Sequence, residues 1–215
     1  MAAVVLACGV DPIAQRDGIV MRRLPARPGK DDIDPILDEL DGRRLVVAGT
    51  DADLAAVVLR LLRTERVTSV DIGYLPSSTD SVTARIWQLP TSHNKALDVA
   101  LSAPIREVPL VRDDNGGVLV GAGTIAAFDG VAYCDDTRVL SGRAKLLLVT
   151  PDPDGVRVTV RRNGLLRRAG PAVTGRACQL GGELPEIRSD GVPHGRPMPR
   201  WTWYRHTEDL RLALR

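Results

Sequence analysis

"VVAGTDADLAAVV", residues 46–58, reads as a β-rich run closing on Gly49 and opening straight into a helix-forming run, with Asp51 and Asp53 at the junction. A strand entering a helix N-terminus is where α/β folds hold phosphate, because free backbone N–H groups and the helix dipole point at the ligand. Two carboxylates at such a mouth argue the other way. They repel phosphate unless a divalent metal stands between them. Whether the chain performs nucleotide chemistry therefore turns on this junction.

Outward from the junction, the first half alternates strand and helix signals. "AAVVLAC" (2–8) is a buried strand ended by Gly9 and Pro12, "GIVMRRL" (18–24) is a second, and "RRLVVAG" (43–49) is a third. "DDIDPILDELDG" (31–42) opens with acids suited to a helix N-terminus and stops at Gly42. After the helix that follows Gly49 come the strand "SVDIGYLP" (69–76) and the helix "NKALDVALSA" (94–103), which Pro104 limits. Strand and helix in alternation predict a parallel sheet with covering helices over residues 1–104.

The character changes near Ile105. "REVPLVRDDNGGVLVGAGTI" (106–125) holds two β-rich pieces around Asp114, Asn115 and Gly116, and "GAGTI" (121–125) reads as a bulge or turn. "VRVTV" (156–160) alternates with period two, and Asn163-Gly164 is a hairpin signal. "RWTWYRHTEDLRLAL" (200–214) is read as alternating strands with one turn between them. Residues 105–215 are expected to form an antiparallel, β-sandwich-like domain, so the fold class is α/β plus β.

Composition bounds the possibilities. The chain has 215 residues, 44% of them hydrophobic, enough to bury a core. A net charge of +2, from acids and bases scattered along the chain, gives no electrostatic case for nucleic acid. Abundant Arg, Ala and Val fit coding by a GC-rich bacterial genome. Cys8, Cys134 and Cys178 are far apart with no metal-ligand spacing, so zinc and disulfides are not expected and the three are read as buried hydrophobes in a reducing cytosol. His93, His194 and His206 stand alone and carry no site. With no run long enough to span a bilayer, the expectation is a cytoplasmic protein without a transmembrane segment.

Three spaced motifs, "GTDADLAA" (49–56), "PSSTDSVTAR" (76–85) and "IRSDGVPHG" (187–195), resemble those of the diacylglycerol kinase and NAD kinase superfamily, nearest its bacterial lipid kinases. Gly49, Thr50, Asp51, Ala52, Asp53, Leu54, Ala55 and Ala56 lie without a gap over the family's G-G-D-G-T-L-N-E, with Gly49, Asp51 and Leu54 matching. "PSSTDSVTAR" (76–85) lies over P-x-G-T-x-N-D-x-A-R, keeping Pro76, Thr79, Ala84 and Arg85 but placing Ser78, Ser81 and Val82 where the family has Gly, Asn and Asp. "IRSDGVPHG" (187–195) keeps Asp190 and Gly191 of a D-G-E element, with Val192 at the Glu position. The resemblance implies a nucleotide site at Gly49, Thr50, Asp51, Ser78 and Thr79, lining an interdomain cleft with the Asp190 turn. If the chain is active, it implies ATP and Mg²⁺ as cofactors, Asp51 near them and Asp190 as the base for an acceptor hydroxyl. It also suggests a homodimer.

Structural readings stand beside these. Asp51 serves equally as a helix N-cap, "SSTDS" as the cap of a helix containing "VTARIW", and Asp190-Gly191 as a turn. Arg157, Arg161, Arg162, Arg167 and Arg168 surround the Asn163-Gly164 hairpin with no acid among them, either as a solvated tip or as a contact for anionic lipid or nucleic acid phosphate. Trp201 and Trp203 share one strand face, as core, as an apolar ligand groove or as a subunit interface. The altered polar positions in both nucleotide motifs favour a pseudoenzyme that binds a small-molecule, lipid or protein ligand. The alternatives are an active ATP-dependent kinase of a hydroxylated substrate and a structural protein assembling through the tryptophan face.

Overall fold

The computed structural model describes residues 2–12, 17–162, 170–184 and 186–215. The chain forms two compact units, one of residues 1–108 with 208–215 and the other of residues 109–207.

The first unit is a parallel sheet with helices. β1 (Ala3–Cys8), β2 (Ile19–Leu24), β3 (Arg44–Gly49) and β4 (Ile72–Pro76) lie in the order β2-β1-β3-β4, all neighbours parallel. β1 and β3 are buried along their whole length, which is why both read as unbroken apolar runs rather than alternations. The end of β14 (Met198–Ala213) joins the same sheet, with Leu212 beside Ile72.

Among the described residues, four helices connect and cover these strands: α1 (Lys30–Asp38), α2 (Asp51–Arg63), α3 (Val82–Ile86) and α4 (His93–Ser102). Pro104 forces Ala103 into an extended conformation (ψ 153°), which ends α4 as the sequence predicts. α4 lies so close on β4 that a Cβ at Gly73 would stand 2.2 Å from the Ala100 carbonyl oxygen; only glycine fits. The buried Arg44 guanidinium donates to the carbonyls of Ala100 (3.3 Å) and Ala103 (3.0 Å). It thereby meets the negative end of α4, although burial lowers its pKa.

α1 and α2 are tied by a bidentate pair, Arg60 Nε and Nη2 to the two Asp34 oxygens at 2.9 and 2.7 Å. The hydrogen bonds from Arg60 hold the Asp34 carboxyl below its ordinary range. A carboxyl lowered by folding stabilises above its unfolded pKa and loses that contribution as pH falls through the folded one. Asp34→Asn is accordingly expected to cost about 1 kcal/mol at pH 7 and progressively less as pH falls from about 4 through the lowered folded value, read by urea unfolding across that range.

The second unit is antiparallel. It contains the later part of β5 (Ile105–Asp113), then β6 (Val118–Leu119), β7 (Gly123–Cys134), β8 (Thr137–Asp152), β9 (Gly155–Arg161), β10 (Val173–Gly175), β11 (Ala177–Leu184), β12 (Ile187–Ser189), β13 (Val192–Pro193) and the first part of β14. The sheet runs β10-β9-β8-β7-β11-β14, with the β12–β13 hairpin set against β7. Its inward residues, including Phe128, Leu147, Val158, Leu180, Trp201 and Trp203, form one core. The sheet curls: the β8–β9 turn near one end reaches β14 at the other, where Arg205 Nη1 donates to the Pro153 carbonyl at 3.4 Å.

Two expectations need correction here. Residues 200–214 contain no turn, because β14 is one 16-residue strand and its polar stretch His206–Asp209 stays extended. Nor is the basic cluster free of acids, since Arg157 Nη2 lies 2.8 Å from Asp152. The Asn163-Gly164 hairpin, Arg167 and Arg168 fall outside the described residues.

Candidate functional site

At the β3–α2 junction the N-cap of α2 is Thr50, not Asp51. The Thr50 hydroxyl accepts from the Asp53 N–H (3.3 Å), while the Asp53 carboxylate accepts from the Thr50 N–H and hydroxyl, both at 2.7 Å. This is a capping box closed by aspartate. The other Asp53 oxygen accepts from the Arg27 N–H at 2.6 Å, pinning the β2–α1 loop. Asp53 is only 2% exposed, and a Cβ at Gly49 would stand 2.6 Å from its Oδ2. Gly49 is thus required by the neighbouring carboxylate, whatever ligand the loop meets.

Asp51, at the first helical position, turns away from its own helix. Its Oδ1 accepts from the Tyr74 hydroxyl (2.8 Å) and the Ser81 hydroxyl (2.6 Å), and its Oδ2 from the N–H groups of Val82 (2.8 Å) and Thr83 (3.2 Å). The carboxylate therefore caps α3, stabilised there by the positive end of that helix. Ser81 is the N-cap of α3, its oxygen accepting from the Ala84 N–H at 3.0 Å. The structure brings Asp51 and the "SSTDS" segment together as the resemblance implies, but through Ser81 and backbone N–H groups. Ser78 and Thr79 are exposed, and Ser78 Oγ accepts from the Asp80 N–H at 3.1 Å.

A carboxylate offers roughly four acceptor positions, and all of those on Asp51 are taken by protein donors. Mg²⁺ would have to displace these bonds, so this donor set does not fit a divalent cation. Among the described residues no cluster of three His, Cys, Asp or Glu could hold a metal ion. Tyr74 and Arg27 are the members of this network that the motif comparison missed. Tyr74 carries no motif, and Arg27 contributes only its backbone, which leaves no trace in residue type.

In the second unit Asp190 sits at φ 51° in the turn between β12 and β13. Its carboxylate accepts from the N–H groups of Val120 (3.1 Å), Gly121 (2.7 Å) and Ala122 (3.0 Å). Gly121 and Ala122 of the "GAGTI" segment thus form a bend held by a carboxylate from far along the chain, and residues 123–125 open β7. Trp201 and Trp203, 2% and 0% exposed, pack edge to face at 5.8 Å in the core. That burial leaves no tryptophan surface for the groove or the assembly interface considered above.

No protein-family model matches the chain, and no curated protein does. Solved structures do share its architecture. A diacylglycerol kinase from Bacillus anthracis str. Sterne superposes with a TM-score of 0.71 at 12% identity, covering 99% of this chain and 97% of that chain. An NAD kinase from Archaeoglobus fulgidus in complex with ATP gives 0.59 at 12% identity, covering 99% and 93%. Yeast NADH kinase complexed with NADH gives 0.56 at 10% identity, covering 100% and 84%. The fold, α/β followed by antiparallel β, is that of diacylglycerol and NAD kinases. Among the described residues no helix is long and apolar enough to cross a membrane.

Proposed function

We propose that the chain is a divergent diacylglycerol kinase-like protein that does not transfer phosphoryl groups and instead binds a small-molecule, lipid or protein ligand. One observation carries this reading: both carboxylates of the β3–α2 junction are consumed inside the protein. Phosphoryl transfer needs a metal bridging the phosphates and positive or N–H groups facing them. Asp51 has no acceptor left for the metal. Asp53 brings a negative charge to the N–H and hydroxyl of Thr50, donors a phosphate at this junction would use. Asp190, the residue matched to an acceptor-activating acid, likewise spends its carboxylate on three backbone N–H groups.

The test is a thermal-shift titration with ATP, ADP and NAD, each with and without Mg²⁺. The expected result is an unchanged midpoint. Binding at about 100 times Kd would stabilise by ~2.7 kcal/mol, a rise of roughly 5–10 °C in a chain of this size. A Mg²⁺-dependent rise with ATP supports the competing reading, an active kinase of a lipid or other hydroxylated substrate, which rests on the fold. Lipid phosphorylation by the unaltered protein, lost in both Asp51→Asn and Asp190→Asn while their unfolding midpoints stay unchanged, would then establish it.

A further inference from the structure

We propose that Cys134 and Cys178 are a redox pair that a peroxide converts to an intrachain disulfide tying β7 to β11. The two cysteines are remote in sequence, yet the antiparallel register sets them directly opposite each other. The Asp135 N–H donates to the Ala177 carbonyl at 3.0 Å. That bond makes the neighbouring Cys134–Cys178 pair a non-hydrogen-bonded one, where facing Cα atoms lie about 4.5 Å apart and side chains approach most closely. Disulfides span Cα separations of roughly 4.4–6.8 Å, so the bridge fits without moving either strand. Both side chains also point the same way, into the core of the second unit, at 2% and 0% exposure.

The chemistry closes with peroxide as the only co-reactant. The Cys134 thiolate attacks a peroxide oxygen, the O–O bond breaks, and a sulfenic acid and hydroxide form. The Cys178 thiol then gives up its proton, its sulfur displaces the sulfenic oxygen, and water leaves as the S–S bond forms. Two electrons pass from the thiols to one peroxide molecule, which is reduced to water. Cys134 reacts first: burial, then the Asp135 carboxylate, pushes its thiol up to about 11, while burial raises that of Cys178 further. The first step is slow for that reason, and proximity makes the second fast. Its cover is thin, since β10 spans three residues and a Cβ at Gly175 would meet the Cys134 sulfur at 2.8 Å. Cys8 has no such option, because it faces Leu24.

The native protein is treated with hydrogen peroxide, quenched, denatured, alkylated and digested. The expected product is a peptide joining Cys134 to Cys178 within one chain, with Cys8 still alkylated and the link removed by dithiothreitol. In Cys178→Ala the link disappears and Cys134 is instead trapped as a sulfenic acid by dimedone. If both cysteines remain alkylated in the native protein, oxidise separately to sulfinic acids, or link only to Cys8 or to another chain, the proposal is overturned.

Discussion

Asp51→Ala is expected to destabilise the protein by about 3 kcal/mol, because four donors lose one acceptor group at once. Tyr74 is almost wholly buried, as is Ser81. The Tyr74 hydroxyl keeps a longer contact to the Gly49 carbonyl at 3.2 Å, and Ser81 still caps Ala84, so the loss is smaller than four separate bonds. Asp51→Asn separates structure from catalysis. An amide has one accepting and one donating end, whereas both Asp51 oxygens face donors, so asparagine sets N–H against N–H or O–H at one of them. A cost of about 2 kcal/mol is expected from it in urea unfolding followed by circular dichroism. Unchanged or raised stability in both variants would return Asp51 to the role of a free acid.

Trp203→Ala is expected to cost more, about 3–5 kcal/mol, the range for removing a large aromatic from a packed core. The indole is fully buried, stands edge to face with Trp201, and lies so close to Gly123 that a Cβ there would meet a ring carbon at 2.6 Å. Backbone pairing on both sides of β11, Cys178 to Trp203 and Cys178 to Cys134, limits how far the cavity can collapse. Trp203→Phe should recover more than half of the loss. A tryptophan that served a ligand groove would instead cost under about 1 kcal/mol, and the near-ultraviolet spectrum of the rest would survive intact.

Most of the first unit was legible because its signals are local. The apolar runs of β1 and β3, the helical period of α2 and the proline after α4 act over a few residues, and the elements formed where those signals stand. The family resemblance likewise led to the architecture found in the kinases, through spaced motifs rather than overall identity. What escaped was set by distant partners. An aspartate next to a helix start reads as that helix's cap, but the partners that claim Asp51 are Tyr74, Ser81, Val82 and Thr83 on other elements. The turn read within residues 200–214 does not form, and the stretch holds no glycine, proline or asparagine to make one. The opposition of Cys134 and Cys178 is a matter of sheet register, which residue spacing does not encode.

The interlocked aspartates at the start of α2 also bear on how such a chain can change over generations. Asp53 crowds Gly49 and holds Thr50 and Arg27, while Asp51 holds the start of α3. Opening this junction to a phosphate would mean removing Asp53 and releasing Asp51 together, and either substitution alone weakens the fold before any ligand can compensate. Single-residue change at this junction is therefore held back by the fold itself, because any path that alters both aspartates passes through a less stable intermediate sequence.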